Sequence, residues 1–174
     1  MKMISKYGVF LRLVEESDAE FILALRTNPK LKTFISSTSP NLSDQIKWIQ
    51  EYRKKQSQGL EYYYISQDQN GNKYGTIRLS NIDERSFELG SWVFMNNSPF
   101  GIAVKTHMIA LEIGFELLKA DNCKIRVGKK NKGVLRYIEE FNPFISSEDE
   151  FDIYFTLSKE NFYIRKNKLT IFSQ

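Results

Sequence analysis

The chain has 174 residues, 41% hydrophobic and 14% aromatic, which is enough to fill one core and inconsistent with a disordered tail; a single domain over residues 1–174 is expected. Lys and Arg total 25 against 21 for Asp and Glu, so the net charge of +4 suits an anionic small molecule or a nucleic acid without choosing between them. A lone Cys123 and a lone His107 exclude a disulfide framework, a four-thiolate zinc site and a His-rich metal centre, so no metal is expected and a reducing compartment is.

The first ten residues lack the apolar run of a signal peptide. The most apolar later stretch, residues 108–118, is interrupted by Glu112, Gly114 and Glu116. These features predict a cytoplasmic protein with no membrane partner. In chain order, alternating Val9, Leu11 and Leu13 predict a strand over residues 7–14. Ser17-Asp18 then offers a cap to a helix that Asn28-Pro29 stops after Thr27. Ser43 or Asp44 caps a second helix, with Ile46, Ile49 and Tyr52 at helical spacing up to Gly59. Residues 60–67 and 74–80 read as two strands joined by an Asn70-Gly71 hairpin turn, and residues 87–95 as a third antiparallel strand.

A long core helix follows Pro99 and Gly101, with Val104, Met108, Leu111, Phe115 and Leu118 on one face. After it come a strand over residues 123–128, a helix over 132–141, and a strand over 151–157 with Phe151, Ile153 and Phe155 alternating. A short basic helix capped by Ser158 completes the series. This order predicts an α+β fold: a mixed, largely antiparallel sheet flanked by helices, with a parallel pairing where the long helix joins two strands.

Chemistry concentrates in Ser98-Pro99-Phe100-Gly101-Ile102-Ala103, a turn of small residues where the long helix begins. The first helical turn leaves N–H groups unpaired and carries partial positive charge, so bare backbone there can seat a pyrophosphate; alone, the same residues read equally as an ordinary tight turn. Gly101 and Ala103 fill the small positions of a Gln/Arg-x-x-Gly-x-Gly/Ala pattern in which Ser98 replaces the basic or amide residue. Glu88-Leu89-Gly90 followed by Ser91-Trp92-Val93 matches the strand that leads into such a motif, and Asn131 stands where an Asn opens the next helix. With these three landmarks in one register, the chain resembles the GNAT superfamily of acyl-coenzyme A dependent N-acyltransferases.

The resemblance implies acetyl-coenzyme A or another short acyl-coenzyme A as cosubstrate. It also implies that the strands over 87–95 and 123–128 splay apart after Gly90, so that main-chain groups of Val93 and Phe94 face the pantetheine arm. Phosphates would sit on the N–H groups of Gly101, Ile102, Ala103, Val104 and Lys105, with Asn131 completing the cofactor set. Lys129, Lys130 and Lys132 read either as contacts to the 3′-phosphate or as a solvated basic loop. Glu88 is the candidate base acting through water, or else a strand residue paired with Arg85. The acid of the family, a Tyr seven residues after the motif Asn, falls on Ile138. The neighbouring Tyr137 is the candidate, rotated about a hundred degrees around the helix, with packing as its alternative role. His107 reads as a surface or capping histidine ahead of a base, and Asn142-Pro143-Phe144 replaces a Gly-Phe pair.

For the acceptor, Arg26, Ser36, Thr38, Tyr64 and Trp92 are the candidate contacts, within a region that also holds Phe34, Ser37, Trp48, Tyr62 and Tyr63. Aromatic faces and hydroxyls suit a sugar ring or nucleobase, and a guanidinium suits a diphosphate; strand alternation buries either Tyr63 or the pair Tyr62 and Tyr64. Leu25-Arg26-Thr27-Asn28, Gln45-Ile46-Lys47-Trp48-Ile49 and Gly90-Ser91-Trp92 resemble GNAT members that N-acylate dTDP- or UDP-linked amino-dideoxy sugars for bacterial surface polysaccharide. The competing readings are a protein N-terminal acetyltransferase like those that modify ribosomal proteins, an inactive coenzyme A-binding scaffold, and a nucleic-acid-binding module built on residues 62–64 beside Arg53-Lys54-Lys55. Exposed aromatic strands also suggest a homodimer.

Overall fold

Residues 3–31 and 37–169 are described by a computed structural model. The chain opens with a hairpin: β1 (Met3–Lys6) and β2 (Val9–Leu13) are antiparallel, joined at Tyr7 and Gly8 with φ of 55° and 75°. A two-residue turn with both φ positive matches the twist of the strands it joins. The alternation predicts a single strand from residue 7, and the hairpin departs from it because a tyrosine in the left-handed region leaves no local signal. A short 3-10 turn, Glu16–Asp18, then leads into α1 (Ala19–Thr27). The next helix, α2 (Leu42–Ser57), is capped by Asn41, whose side chain accepts the Ser43 amide at 3.0 Å; Ser43 and Asp44 lie inside the helix.

The middle of the chain forms β3 (Tyr62–Gln67), β4 (Lys73–Ser80), β5 (Ser86–Phe94) and α3 (Ile102–Glu112), which ends in one wide π turn at Ile113–Leu117. It is followed by β6 (Asn122–Gly128), α4 (Lys132–Glu139), β7 (Phe144–Glu148), β8 (Asp152–Ser158) and α5 (Lys159–Lys168). The strands make one eight-stranded sheet in the order β1-β2-β3-β4-β5-β6-β8-β7, with β5 and β6 the parallel pair. The edge strand β7 was not anticipated: all five of its residues are exposed, so it shows no apolar alternation, and Asn142 before it takes the φ of 49° that a glycine adopts readily. Phe151, expected to point inward, is exposed just ahead of β8, whose buried side chains are Phe155 and Leu157.

The two faces of the sheet carry separate cores. Tyr64, Ile77, Leu79, Phe87 and Leu89 pack against Met108, Leu111 and Phe115 of the α3 segment. On the opposite face Tyr63 and Ile65 pack with Ile22 of α1 and Ile49 and Tyr52 of α2. Buried charges fasten the periphery. Asp18 accepts from Arg12 at 2.7 and 2.8 Å, from Lys73 at 2.6 Å and from the Glu15 amide at 2.9 Å. Burial raises its carboxyl, but these bonds outweigh burial and hold it below the ordinary carboxylate value. Glu112 likewise gathers Lys6, Tyr7 and Lys166, each at 2.6 Å, tying the first hairpin and α5 to α3. Among the described residues no helix is long and apolar enough to cross a membrane.

Candidate active site

The centre of the sheet opens because β5 keeps one neighbour and loses the other. It pairs with β6 from Ser86↔Asn122 to Leu89↔Ile125 and no further, while its pairing with β4 continues to Phe94↔Gly75. Between Gly90↔Arg78 and Val93↔Thr76, Ser91 and Trp92 together face the single Ile77, which is a β-bulge. Ser91 sits at φ 47°, and its carbonyl accepts the Thr76 hydroxyl at 2.7 Å. A bulge adds twist to its strand, which here turns the end of β5 away from β6. The resulting cleft of about 370 Å³ has Glu88, Leu89, Gly90, Ser91 and Trp92 on one wall and Ile125, Arg126, Val127 and Gly128 on the other. Val93 and Phe94, expected to face this gap, are not among its lining residues; they stand opposite Thr76 and Gly75 of β4, and because successive residues of an antiparallel pair turn their main-chain groups to opposite sides, only one of the two directs them at β4.

At the start of α3, Gly101 is the cap at φ 79°, and a Cβ there would meet nothing within 4 Å, so glycine is favoured by the backbone angle and not by space. The amides of Ile102 and Lys105 donate to Pro99 (3.2 Å) and Gly101 (2.9 Å), which corrects their expected place in the anion seat: the helical ladder begins at the fifth residue and takes Lys105. Among the described residues the amides of Gly101, Ala103 and Val104 donate to no backbone carbonyl. These three form a positively polarised end able to hold a diphosphate. Asn131 caps α4, accepting the Val134 amide at 3.3 Å, and lines the cleft. Lys129 is paired with Glu148 at 3.1 Å.

Glu88 faces the cleft, with Oε2 accepting from Asn81 Nδ2 at 2.7 Å, while Arg85 pairs with Asp121. Tyr137 is not among the residues lining the cleft but packs behind two that are, Trp92 and His107, with its hydroxyl 3.1 Å from His107 Nδ1. His107 is neither a surface nor a capping residue: it is buried, packs at a tilt against Trp92 with ring centroids 4.7 Å apart, and lines the cleft. Burial alone pushes its imidazole down to about 3. Trp92 belongs to the same wall, donating its indole N–H to the Ala103 carbonyl at 3.0 Å. Cys123 is buried with its thiol pushed up by desolvation, a poor nucleophile.

A second pocket, about 330 Å³, lies between α1, α2 and the sheet and meets the cleft at Arg26, Arg78 and Ser91. Arg26 Nε donates to Thr38 Oγ1 at 2.6 Å, and both residues line this pocket. Tyr64, named as an acceptor contact, is fully buried on the opposite face of the sheet; its neighbour Tyr63 lines the pocket, since consecutive strand residues point to opposite faces. Ser36 and Phe34 lie outside the described residues. Sequence reasoning missed Arg78, which pairs with Glu61 at 3.3 Å and lies over the Trp48 ring at 5.4 Å. The alternation Thr76, Arg78, Ser80 against Ile77 and Leu79 was the available signal for its face. Asp44 also lines the pocket, accepting from Ser39 at 2.7 Å. Among the described residues no group of three or more His, Cys, Asp or Glu could hold a metal ion.

Comparison with known proteins identifies the family and the fold. Residues 9–141 match the family described as Acetyltransferase (GNAT) domain. The solved structure of apo FdhC, a nucleotide-linked sugar GNAT, superposes with a TM-score of 0.85 at 32% identity, covering 99% of this chain and 97% of that one. Acetyltransferase PseH of Campylobacter jejuni is 22% identical over 148 residues, 85% of this chain and 90% of its own. The ribosomal-protein-S5-alanine acetyltransferase of Vibrio fischeri shares the fold, with a TM-score of 0.77 at 14% identity and coverage of 93% and 99%.

Proposed function

The chain belongs to the GNAT acetyltransferase family, and from that premise we propose that it transfers an acetyl or short acyl group from acyl-coenzyme A to the amino group of a nucleotide-linked amino-dideoxy sugar. The acyl-coenzyme A supplies a thioester whose carbonyl carbon accepts the amine. The three unpaired amides at Gly101, Ala103 and Val104 and the unzipped edge of β5 fit such a ligand, the first holding its diphosphate and the second receiving its extended arm. A main-chain N–H on that open edge stabilises negative charge developing on the carbonyl oxygen. Glu88, facing the cleft, takes the proton from the acceptor ammonium through water.

The observation that carries the acceptor class is the pair of guanidiniums, Arg26 and Arg78, at the junction of cleft and pocket. A sugar nucleotide has its diphosphate between base and sugar. With the diphosphate on these two arginines, the base reaches Trp48 and Tyr63 in the pocket while the sugar amine enters the cleft beside Glu88. A polyamine or a peptide N-terminus would bring positive charge to the same two cations. The 32% identity to a nucleotide-linked sugar GNAT supports this choice. The same reading sets the reaction in the cytoplasm.

The test is thiol release from acetyl-coenzyme A with a panel of dTDP- and UDP-linked amino sugars, the free amino sugars, spermidine and alanine-terminated peptides. Turnover is expected with the nucleotide-linked amines; turnover with peptides alone overturns the assignment.

A further inference from the structure

His107 is buried, 2% exposed, yet lines the cleft. Three aromatic side chains surround it, Trp92 at 4.7 Å, Tyr137 at 5.3 Å and Phe141 at 6.3 Å between ring centroids, and none supplies a charge. The charged groups lining the same cleft are Arg26, Arg78, Glu88, Arg126 and Asp152. The ring's hydrogen bond runs through Nδ1 to the Tyr137 hydroxyl at 3.1 Å. Among the described residues that hydroxyl meets no carbonyl or carboxylate, so donation to Nδ1 satisfies its one proton. The imidazole proton then resides on Nε2.

We propose that His107 is a catalytic hydrogen-bond donor, presenting Nε2–H to the sulfur of the acyl thioester, and that Tyr137 is the positioning residue that fixes its tautomer. The location follows from the helix. His107 is six residues past the cap at Gly101, about 9 Å along the axis from the anion seat. It packs on Trp92, in the stretch of β5 that has parted from β6. A diphosphate on the free amides leaves the arm to run along the cleft, whose wall includes His107. During transfer the amine nitrogen bonds to the acyl carbon, the C–S bond breaks, and its electron pair stays on sulfur. The amine's surplus proton passes through solvent to Glu88. The His107 N–H stabilises the growing negative charge on sulfur without giving up its proton, which suits an imidazole that desolvation keeps neutral. The displaced tyrosine thus still acts at the leaving group, through a neighbour.

This inference rests on the acyl-coenzyme A reading but not on the identity of the acceptor, and its test separates the two. The chain has a single histidine, so imidazole-¹⁵N labelling gives one assignable ring. The expected spectrum is a neutral Nε2–H tautomer that does not titrate between about pH 5 and pH 9. Tyr137→Phe should mix the tautomers. Acetyl-coenzyme A should move the Nε2–H resonance further than desulfo-coenzyme A, which lacks the sulfur. With a turned-over acceptor, His107→Phe should lower kcat about 10- to 100-fold at unchanged coenzyme A affinity, and His107→Gln, which keeps an N–H, should lose less. A proton on Nδ1, a titration within that range, or no greater response to the sulfur-containing ligand overturns the proposal. Failure of every nucleotide-linked amine in the panel leaves these spectra decisive, and turnover with an unresponsive histidine overturns this inference alone.

Discussion

Replacing Arg78 by Lys isolates the acceptor reading, because the charge stays while the planar fork is lost. Arg78 lies on β4 opposite Gly90, where the bulge begins, and its guanidinium is held between Glu61 at 3.3 Å and the Trp48 ring at 5.4 Å. Glu61 is buried and has Lys55 at 3.7 Å as its other cation, so a lysine at position 78 keeps the carboxylate neutralised where an alanine would not. Losing the stack on Trp48 costs about 1 kcal/mol of stability, or a fall of about 2–4 °C in Tm. In the complex the fork makes two charge-assisted bonds to a diphosphate and the ammonium makes one. The lost bond is worth about 1.5–3 kcal/mol, which raises KM for the nucleotide-linked amine about 10- to 150-fold. Initial-rate thiol release reads this directly, with the free amino sugar as control and calorimetric coenzyme A affinity expected to be unchanged. If KM for the nucleotide-linked amine stays put, or rises equally for the free amino sugar, Arg78 does not hold the diphosphate.

Three further outcomes are expected. Ala103→Glu puts a carboxylate at a free amide of the α3 end and should weaken coenzyme A binding by tenfold or more in calorimetry; undiminished affinity would mean that the diphosphate sits elsewhere. Glu88→Gln should lower kcat by about 10²-fold or more with coenzyme A affinity intact, and an unchanged rate would remove it as the base. Asp18→Asn should cost about 3–5 kcal/mol, since it leaves Arg12 and Lys73 without their shared anion. Because the folded Asp18 carboxyl is held low, its stabilisation is complete above the unfolded value of about 3.9 and disappears as pH falls through the folded one. The urea midpoint of the unaltered protein should therefore drop more steeply than that of the variant below about pH 5. Parallel curves would show that the ion cluster contributes nothing.

Local pattern made most elements legible and left out those without one. The helices and the three central antiparallel strands follow from apolar spacing and turn residues, as in the Ile46, Ile49, Tyr52 face of α2. The β1–β2 hairpin escaped because Tyr7 occupies a left-handed angle that its residue type does not announce, and β7 because a wholly exposed strand has no alternation. In the site, Gly101 and Asn131 could be named because their roles are local, a cap angle and a helix start. For Arg78 the alternation along β4 marks a shared face with Thr76 and Ser80, but which face meets α1 and α2 is settled by packing.

What the sequence determined by itself is every element with a local apolar pattern, the glycine-initiated helix and the family, the first two from residues within a few positions of one another and the last from three landmarks in one register between Glu88 and Asn131. Tertiary structure alone decided which of two adjacent tyrosines, Tyr63 or Tyr64, looks into the pocket, which way Tyr137 points, and that His107 is buried against the cleft. Those outcomes turn on the bulge at Ser91 and on how α3 and α4 pack across the sheet. Both are sums of contacts between segments far apart in the chain, and no short window of sequence contains them.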